Sequence, residues 1–228
     1  MRMPPWEELP EALRTEEVRP YYEVLARRGL QLRLKRLLDV VGATVLFVLL
    51  GWLFVILALL IKLDSPGPVF FRQRRVTQFG REFRIVKFRT MTYRPAAPGD
   101  QITRGDDPRI TRVGAVLRRY RLDEISQLID ILRGTMSFVG TRPEVPDYVR
   151  QYTPQMRATL LLPAGVTSTA SIEFKDEAQI LAAAPPGQDA YVTQVLPAKM
   201  RLNLRDVRDF SIGRDLRIAF RTILAVAT

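Results

Sequence analysis

The chain has no cysteine and no histidine among its 228 residues. Those two absences exclude disulfide scaffolds, zinc sites built from Cys and His, thiol nucleophiles and Ser-His-Asp triads. Any chemistry must run on carboxylates, Lys, Arg, Tyr, Ser or Thr, and a metal, if one is used, is a hard cation such as magnesium. Acidic residues are also scarce, 24 against 35 basic ones, for a net charge of +11. The surplus points to anionic partners: nucleic acid, phosphorylated small molecules or an acidic membrane face. No internal repeat or low-complexity tract is visible. The length suits one domain with a real core.

One run lacks charge altogether. Val40–Ile61, VVGATVLFVLLGWLFVILALLI, is 22 residues, enough to cross a bilayer core as a helix. Arg27, Arg28, Arg33, Lys35 and Arg36 precede it, and Lys62, Arg72, Arg74, Arg75 and Arg81 follow. The positive-inside tendency places both flanks on the cytoplasmic side, which a straight span cannot satisfy. A helix that enters the membrane, bends near Gly51 and returns to the same face therefore stands beside the spanning form. Three segments follow: a polar, basic extension over 1–34, a membrane-embedded helix over 35–63, and the remaining domain over 64–228. The extension is not a secretory signal, because the apolar run starts too far in and no small-residue cleavage pattern follows it.

Downstream, LDSPGPVFF reads as a tight turn leading into a strand, and RQRRVTQFGREFRIVKFRTM as a basic hairpin turning near Gly80. Arg94–Pro108 has the composition of a mobile loop and is a candidate lid. Thr153 and Pro154 look like a helix start, LLPAGVTSTASIEF like loop passing into a short extended segment, and Asp176–Ala183 like a short helix. Ala190–Phe210 reads as helix interrupted at Pro197, and the last element, SIGRDLRIAFRTILAV, as an amphipathic interfacial helix.

The chain is organised around Arg118–Glu144, RRYRLDEISQLIDILRGTMSFVGTRPE. Val116, Tyr120, Ile125, Leu128, Ile129 and Leu132 recur at helical spacing without a proline, which predicts a helix through the first half. Near its middle, Asp123 and Glu124 are adjacent, with Arg118, Arg119 and Arg121 upstream and Arg142 downstream. Neighbouring helical residues diverge by about 100°, so the two acids can touch different parts of one ligand, an arrangement that suits a nucleophile beside a metal ligand. The plainer reading is an exposed Arg119–Asp123 pair worth a few tenths of a kcal/mol.

The blocks KRLLDVV (35–41), IKLDSPGPVFFRQRR (61–75), FRIVKFRTM (83–91), DDPRITRVGAVLRRYRLDEISQLIDILRGTMSFVGTRPE (106–144) and RDLRI (214–218) occur in order. Together they resemble the bacterial sugar transferase family, the monotopic phosphoglycosyl transferases that load a sugar phosphate onto a polyprenyl phosphate carrier. The resemblance implies that Asp123 is a nucleophile and that Glu124, with Asp123, holds Mg2+. It also places Arg142, Lys87, Arg118 and Asp215 at the active site as phosphate- or substrate-binding residues. The implied partners are a UDP-sugar donor, a polyprenyl (undecaprenyl) phosphate acceptor and anionic membrane lipids, with UMP released and the active site at the cytoplasmic face of the bacterial inner membrane. The expected fold is a single membrane-associated α+β domain with a hydrophobic N-terminal helix, amphipathic interfacial helices and a small β-hairpin sheet.

Departures from the pattern accompany the match. Gly51-Trp52 stands where the family has Ser-Pro, Thr141 replaces the first proline of GPRP, and PAGVTSTASIEFKDE replaces the common PGITG form. The four-span region of the large members is absent, so the chain resembles the small form. An aspartate with an ordinary pKa is ionised at pH 7, so the two-step chemistry needs no histidine. Competing expectations are a membrane-tethered nucleic-acid binder, for which no binding module or basic stripe interleaved with aromatics is found; a non-catalytic assembly partner or basic anion-binding protein; and a conventional glycosyltransferase releasing UDP.

Overall fold

The uncharged run lies inside one helix of 36 residues, α2 (Gly29–Asp64), about 54 Å long at 1.5 Å per residue. A computed structural model describes residues 1–92, 107–175, 177 and 190–227; the candidate lid over 93–106 and the short helix expected over 176–183 lie outside the described residues, apart from Glu177. Leu32, Lys35, Asp39, Ala43, Leu57 and Ile61 form the buried stripe of α2, at the three- and four-residue spacing of one helix face. The opposite face is apolar and uncovered: Val48, Leu49, Trp52, Val55 and Leu59 are all exposed. The helix is long and apolar enough to cross a membrane, and it runs through Gly51 without a break, since glycine permits a bend but does not impose one.

Both ends of α2 are tied to the same body. At the N-terminal end the Arg36 guanidinium donates to the carbonyls of Ile131 (2.6 Å) and Leu132 (3.0 Å). At the C-terminal end buried Arg89 donates to the carbonyls of Ile61 (3.0 Å), Ser65 (2.6 Å) and Pro66 (3.0 Å). The two arginines thereby add donors at the C-terminal ends of helices, where the supply of backbone partners for carbonyls runs out.

The expected hairpin is present. Strands β1 (Phe70–Val76) and β2 (Glu82–Phe88) pair antiparallel, Phe70 opposite Phe88 and Val76 opposite Glu82, around a turn in which Phe79 and Gly80 have positive φ. The outer edge of β2 is closed by side chains rather than by another strand. Val86 N–H donates to Asp130 (2.9 Å), and its carbonyl accepts from Ser126 Oγ (2.9 Å), which satisfies an edge that would otherwise be open to pairing.

That docking explains why the single helix expected through Asp123 and Glu124 does not form. Helix α3 (Arg112–Arg119), capped by Thr111, ends before the acids. Arg121 then takes a left-handed backbone at φ 53°, Leu122–Gln127 is a 3-10 turn, and α4 (Leu128–Arg133) follows, closed by Gly134 at φ 82°. A left-handed arginine costs roughly 1–2 kcal/mol, and the hold of Ser126 and Asp130 on β2 keeps the break in place. Periodicity survives a one-residue change of direction, so the sequence pattern looks continuous.

A second small sheet was not anticipated. Strand β3 (Met136–Val139) pairs parallel with β4 (Ala164–Thr167), Ser137 opposite Gly165; the stretch expected as loop passing into a short extended segment supplies β4 and then turns helical from Thr169. Helix α5 (Pro146–Val149) follows β3 and packs on β1, and α6 (Thr169–Glu173) follows β4 and packs on it. The helix expected over Ala190–Phe210 is present as a π-helical turn (Tyr191–Val195) running directly into α7 (Leu196–Arg208), and Pro197 sits at the junction of the two, where it interrupts the regular helix. The last helix, α8 (Ile212–Ala227), is amphipathic as expected: Ile218 is buried while Leu216, Phe220, Ile223 and Leu224 are exposed. Residues 1–34 share a core with the rest: Met3, Leu9, Leu13 and Val18, with Leu25 of α1 (Arg19–Arg27) and Leu32, pack against Leu161, Leu204 and Phe210. The architecture is mixed, helices with two small sheets.

Candidate functional site

Glu124 is the centre of the site. The 3-10 turn carries it to the end of β2, where Lys87 Nζ donates to its Oε1 at 2.7 Å. Arg142, in the loop just after β3, reaches the same carboxylate with both terminal nitrogens, Nη2 to Oε1 at 2.5 Å and Nη1 to Oε2 at 3.4 Å. Glu124 is 14% exposed and Lys87 20%, so this is a largely desolvated ion pair of the forked, charge-assisted kind. Burial alone would raise the Glu124 pKa, but Arg142 and Lys87 outweigh it and hold the carboxyl well below the usual range. Glu124 in turn raises Arg142 against the effect of burial. Burial lowers Lys87, opposed by Glu124.

Asp123 differs from its neighbour. Among the described residues, no cation lies within ion-pair distance of its carboxylate. Burial raises its pKa; Lys87 and Arg118 pull it down from longer range, while Glu124 raises it further. Asp123 is thus more basic than an ordinary aspartate. The adjacent acids have diverged, one clamped and the other left unpaired and more basic, which is the usual physical sign of separate roles in one site.

A cavity of about 430 Å³ opens beside Glu124, which lines it, while Asp123 is not among its lining residues. Glu124, Arg142, Arg121 and Lys175 line its polar part, and Leu46 and Leu50 of α2 contribute to an apolar wall completed by Phe138 and Val166. One end suits phosphate and the other hydrocarbon. Gln127 also lines the cavity, and both ends of its buried amide lack a hydrogen-bond partner.

The predicted residues divide as follows. Asp123, Glu124, Lys87 and Arg142 come together. Arg118 is exposed on the last turn of α3 and acts on Asp123 only through its charge. Asp215 pairs with Lys35: its Oδ2 accepts from Lys35 Nζ at 2.6 Å, joining α8 to α2. Leu46, Leu50 and Gln127 are not identifiable from sequence, because uncharged residues acquire a role only when the fold sets them around a cavity.

As for a metal, among the described residues no group of three or more Asp or Glu side chains could hold one. Mg2+ often binds through one or two carboxylates, with water and substrate phosphates in its remaining positions, and Asp123 and Glu124 are two adjacent carboxylates at this site.

The bacterial sugar transferase model matches residues 30–228. A UDP-glucose:undecaprenyl-phosphate glucose-1-phosphate transferase of Caulobacter vibrioides is 37% identical over 208 residues, covering 90% of this chain and 73% of that protein. The exopolysaccharide production protein ExoY of Rhizobium meliloti is 34% identical, covering 84% of each. A UDP-N-acetylgalactosamine-undecaprenyl-phosphate N-acetylgalactosaminephosphotransferase of Aeromonas hydrophila is also 34% identical, and the match spans 86% of this chain but 44% of the relative. With the match running from the start of α2 to the end of α8 and taking in Lys87, Asp123, Glu124 and Arg142, the chain belongs to the bacterial sugar transferase family.

Proposed function

We propose that the protein transfers a sugar-1-phosphate from a UDP-sugar to polyprenyl phosphate through a covalent intermediate on Asp123, with release of UMP. The observation that carries this reading is the divergence of the two adjacent acids: Glu124 is clamped by Lys87 and Arg142, and Asp123, without an ion-pair partner among the described residues, is more basic.

In the first step a carboxylate oxygen of Asp123 attacks the sugar-bearing phosphorus. The bond from that phosphorus to the bridging oxygen breaks, and the electron pair leaves with UMP. In the second, an oxygen of the acceptor phosphate attacks the same phosphorus and the bond to Asp123 breaks, restoring the carboxylate and giving the polyprenyl diphosphate sugar. Neither step needs a general base, because both nucleophiles are anions, and this accords with a chain that has no histidine.

The obstacle is the approach of one anion to another. Arg142 and Lys87 hold Glu124 in place, and their remaining N–H groups are available to the diphosphate. Asp123 and Glu124 would hold Mg2+, which when bound supplies charge neutralisation on the phosphates.

The apolar part of the cavity, with Leu46 and Leu50 of α2 in its wall, suits the isoprenoid end of an amphiphilic acceptor. Attachment of both ends of α2 to one body supports an unbroken helix held along that body at the cytoplasmic face of the bacterial inner membrane, with the exposed apolar faces of α2 and α8 turned to the lipid.

The test is nucleotide release from purified protein with Mg2+, a panel of UDP-sugars and undecaprenyl phosphate, set against Asp123→Asn. UMP that requires carrier and metal and disappears in the variant is the expected result. UDP release would indicate ordinary glycosyl transfer, and absence of both products would favour a non-catalytic assembly or anion-binding role.

A further inference from the structure

Among the described residues, few buried side-chain atoms lack a hydrogen-bond partner, and Gln127 is the residue in which both ends do, Nε2 and Oε1. It is 1% exposed. It follows Glu124 by three positions on the 3-10 turn, where residues three apart eclipse one another, and it lines the same cavity as Glu124 and Arg142. A buried carboxamide with neither end paired destabilises the fold, because water satisfies both ends in the unfolded chain. A group that persists at that cost beside a reactive cavity calls for a functional explanation.

The unmet pair is a donor next to an acceptor. Ionised phosphate oxygens only accept, and hydrocarbon does neither, so neither the diphosphate nor the isoprenoid satisfies Oε1. A hydroxyl both donates and accepts. Resting on the transfer reaction proposed above, we propose that Gln127 reads the hydroxyls of the sugar being transferred. The sugar is joined directly to the phosphate that Asp123 attacks, and Gln127 is one turn from the acids. The uracil edge also offers a donor beside an acceptor, but it lies beyond a second phosphate and a ribose. Gln127 lines the cavity, and both of its amide atoms are buried and unpartnered there. A site with a buried polar group committed to a substrate hydroxyl discriminates strongly against donors that lack it or misplace it.

The experiment is thermal unfolding of the full chain in detergent, wild type against Gln127→Leu, with no addition, with UDP and with each UDP-sugar of a panel. Without nucleotide the variant is expected to melt at or above the wild type, since two unmet polar atoms have gone. The UDP-induced shift stays, and the additional shift given by the preferred UDP-sugar is lost. In the turnover assay kcat/KM for that donor falls at least tenfold and its advantage over epimeric donors shrinks. The assignment is overturned if Gln127→Leu keeps the full sugar-dependent shift, if it melts below the wild type with unchanged turnover, or if no UDP-sugar adds to the UDP shift in the wild type. Loss of the UDP shift as well would move the amide to the nucleobase. If the sugar-dependent shift is present and needs Gln127 but no UMP is released to the carrier, the transfer reading fails while the assignment stands.

Discussion

Lys35 Nζ lies 2.6 Å from Asp215 Oδ2 and 2.7 Å from the carbonyl oxygen of Val139, three residues before Arg142. One buried ammonium thus joins α2, α8 and the end of β3. The same region holds a second link, because Asp39 Oδ1 accepts from Ser137 Oγ (3.0 Å) and from Phe138 N–H (3.1 Å). Lys35 is 4% exposed and Asp215 17%, so removing one partner leaves the other charged and desolvated. Lys35→Met is expected to destabilise the fold by about 3 kcal/mol, and Lys35→Met with Asp215→Leu to recover most of that loss. Denaturant unfolding of the single and double variants, combined as a cycle, measures the coupling. A coupling near zero would show that the pair holds nothing together.

The approach of β3 to β4 gives a second prediction. A Cβ on Gly165 would stand 2.1 Å from Gly140 N and 2.3 Å from Gly140 O, so Gly165→Ala must spread the two chain segments that set the position of Arg142. It is expected to cost about 2 kcal/mol and to lower UMP release with it. Gly51→Ala is the control, since nothing lies within 4 Å of the added methyl; it is expected to be neutral or mildly stabilising.

Arg142 contacts Glu124 with two nitrogens, whereas Lys87 contacts it with one. Arg142→Lys keeps the charge and loses the fork. A fall of about 100-fold in UMP release, with thermal stability little changed, is the expected outcome. Activity near wild type would mean that charge alone is sufficient at this position.

The acid limb of stability should depend on Glu124. Its folded pKa is depressed below the unfolded value, so its contribution is complete above roughly pH 4.3, the unfolded figure, and is lost as pH falls below that towards the folded one. In EDTA, Glu124→Gln is expected to flatten the decline in stability between about pH 5 and pH 2. Urea unfolding at several pH values checks it, and an unchanged slope would assign the acid limb to other carboxylates.

Topology can be read with single thiols, because the chain has no cysteine of its own. Leu30 and Pro68 flank the apolar run and are both exposed. Cysteines placed singly at the two positions are expected to label from the same side in intact cells. Opposite-side labelling would establish a span.

The parts of the molecule that were legible in the sequence are those written locally. The hairpin declared itself by β-branched and aromatic runs around Gly80, and α8 by its apolar stripe. The acids stood out because adjacent carboxylates amid arginines are conspicuous. What was hidden depends on distant partners. The parallel pairing of Met136–Val139 with Ala164–Thr167 joins short segments separated by a long connection, and neither carries a pattern that predicts the other. The break at Arg121 follows from Ser126 and Asp130 docking on Val86, which no helical periodicity can register. Asp215 occurs in a recognisable motif, but a motif gives no indication that its partner lies 180 residues away at Lys35. Gln127 is an ordinary polar residue until the fold deprives its amide of company.

The wall formed by Leu46 and Leu50 has a practical consequence. In many membrane-bound proteins the anchor is a detachable module, and a soluble fragment reports faithfully on the rest. Here the hydrophobic helix is part of the cavity itself, and its buried stripe fills the grooves around Ile131 and Phe88. A water-soluble truncation would be an incomplete molecule, lacking one side of the chamber in which the two substrates are proposed to meet. Inhibitor screens and structural work therefore need the intact chain in a lipid-like environment.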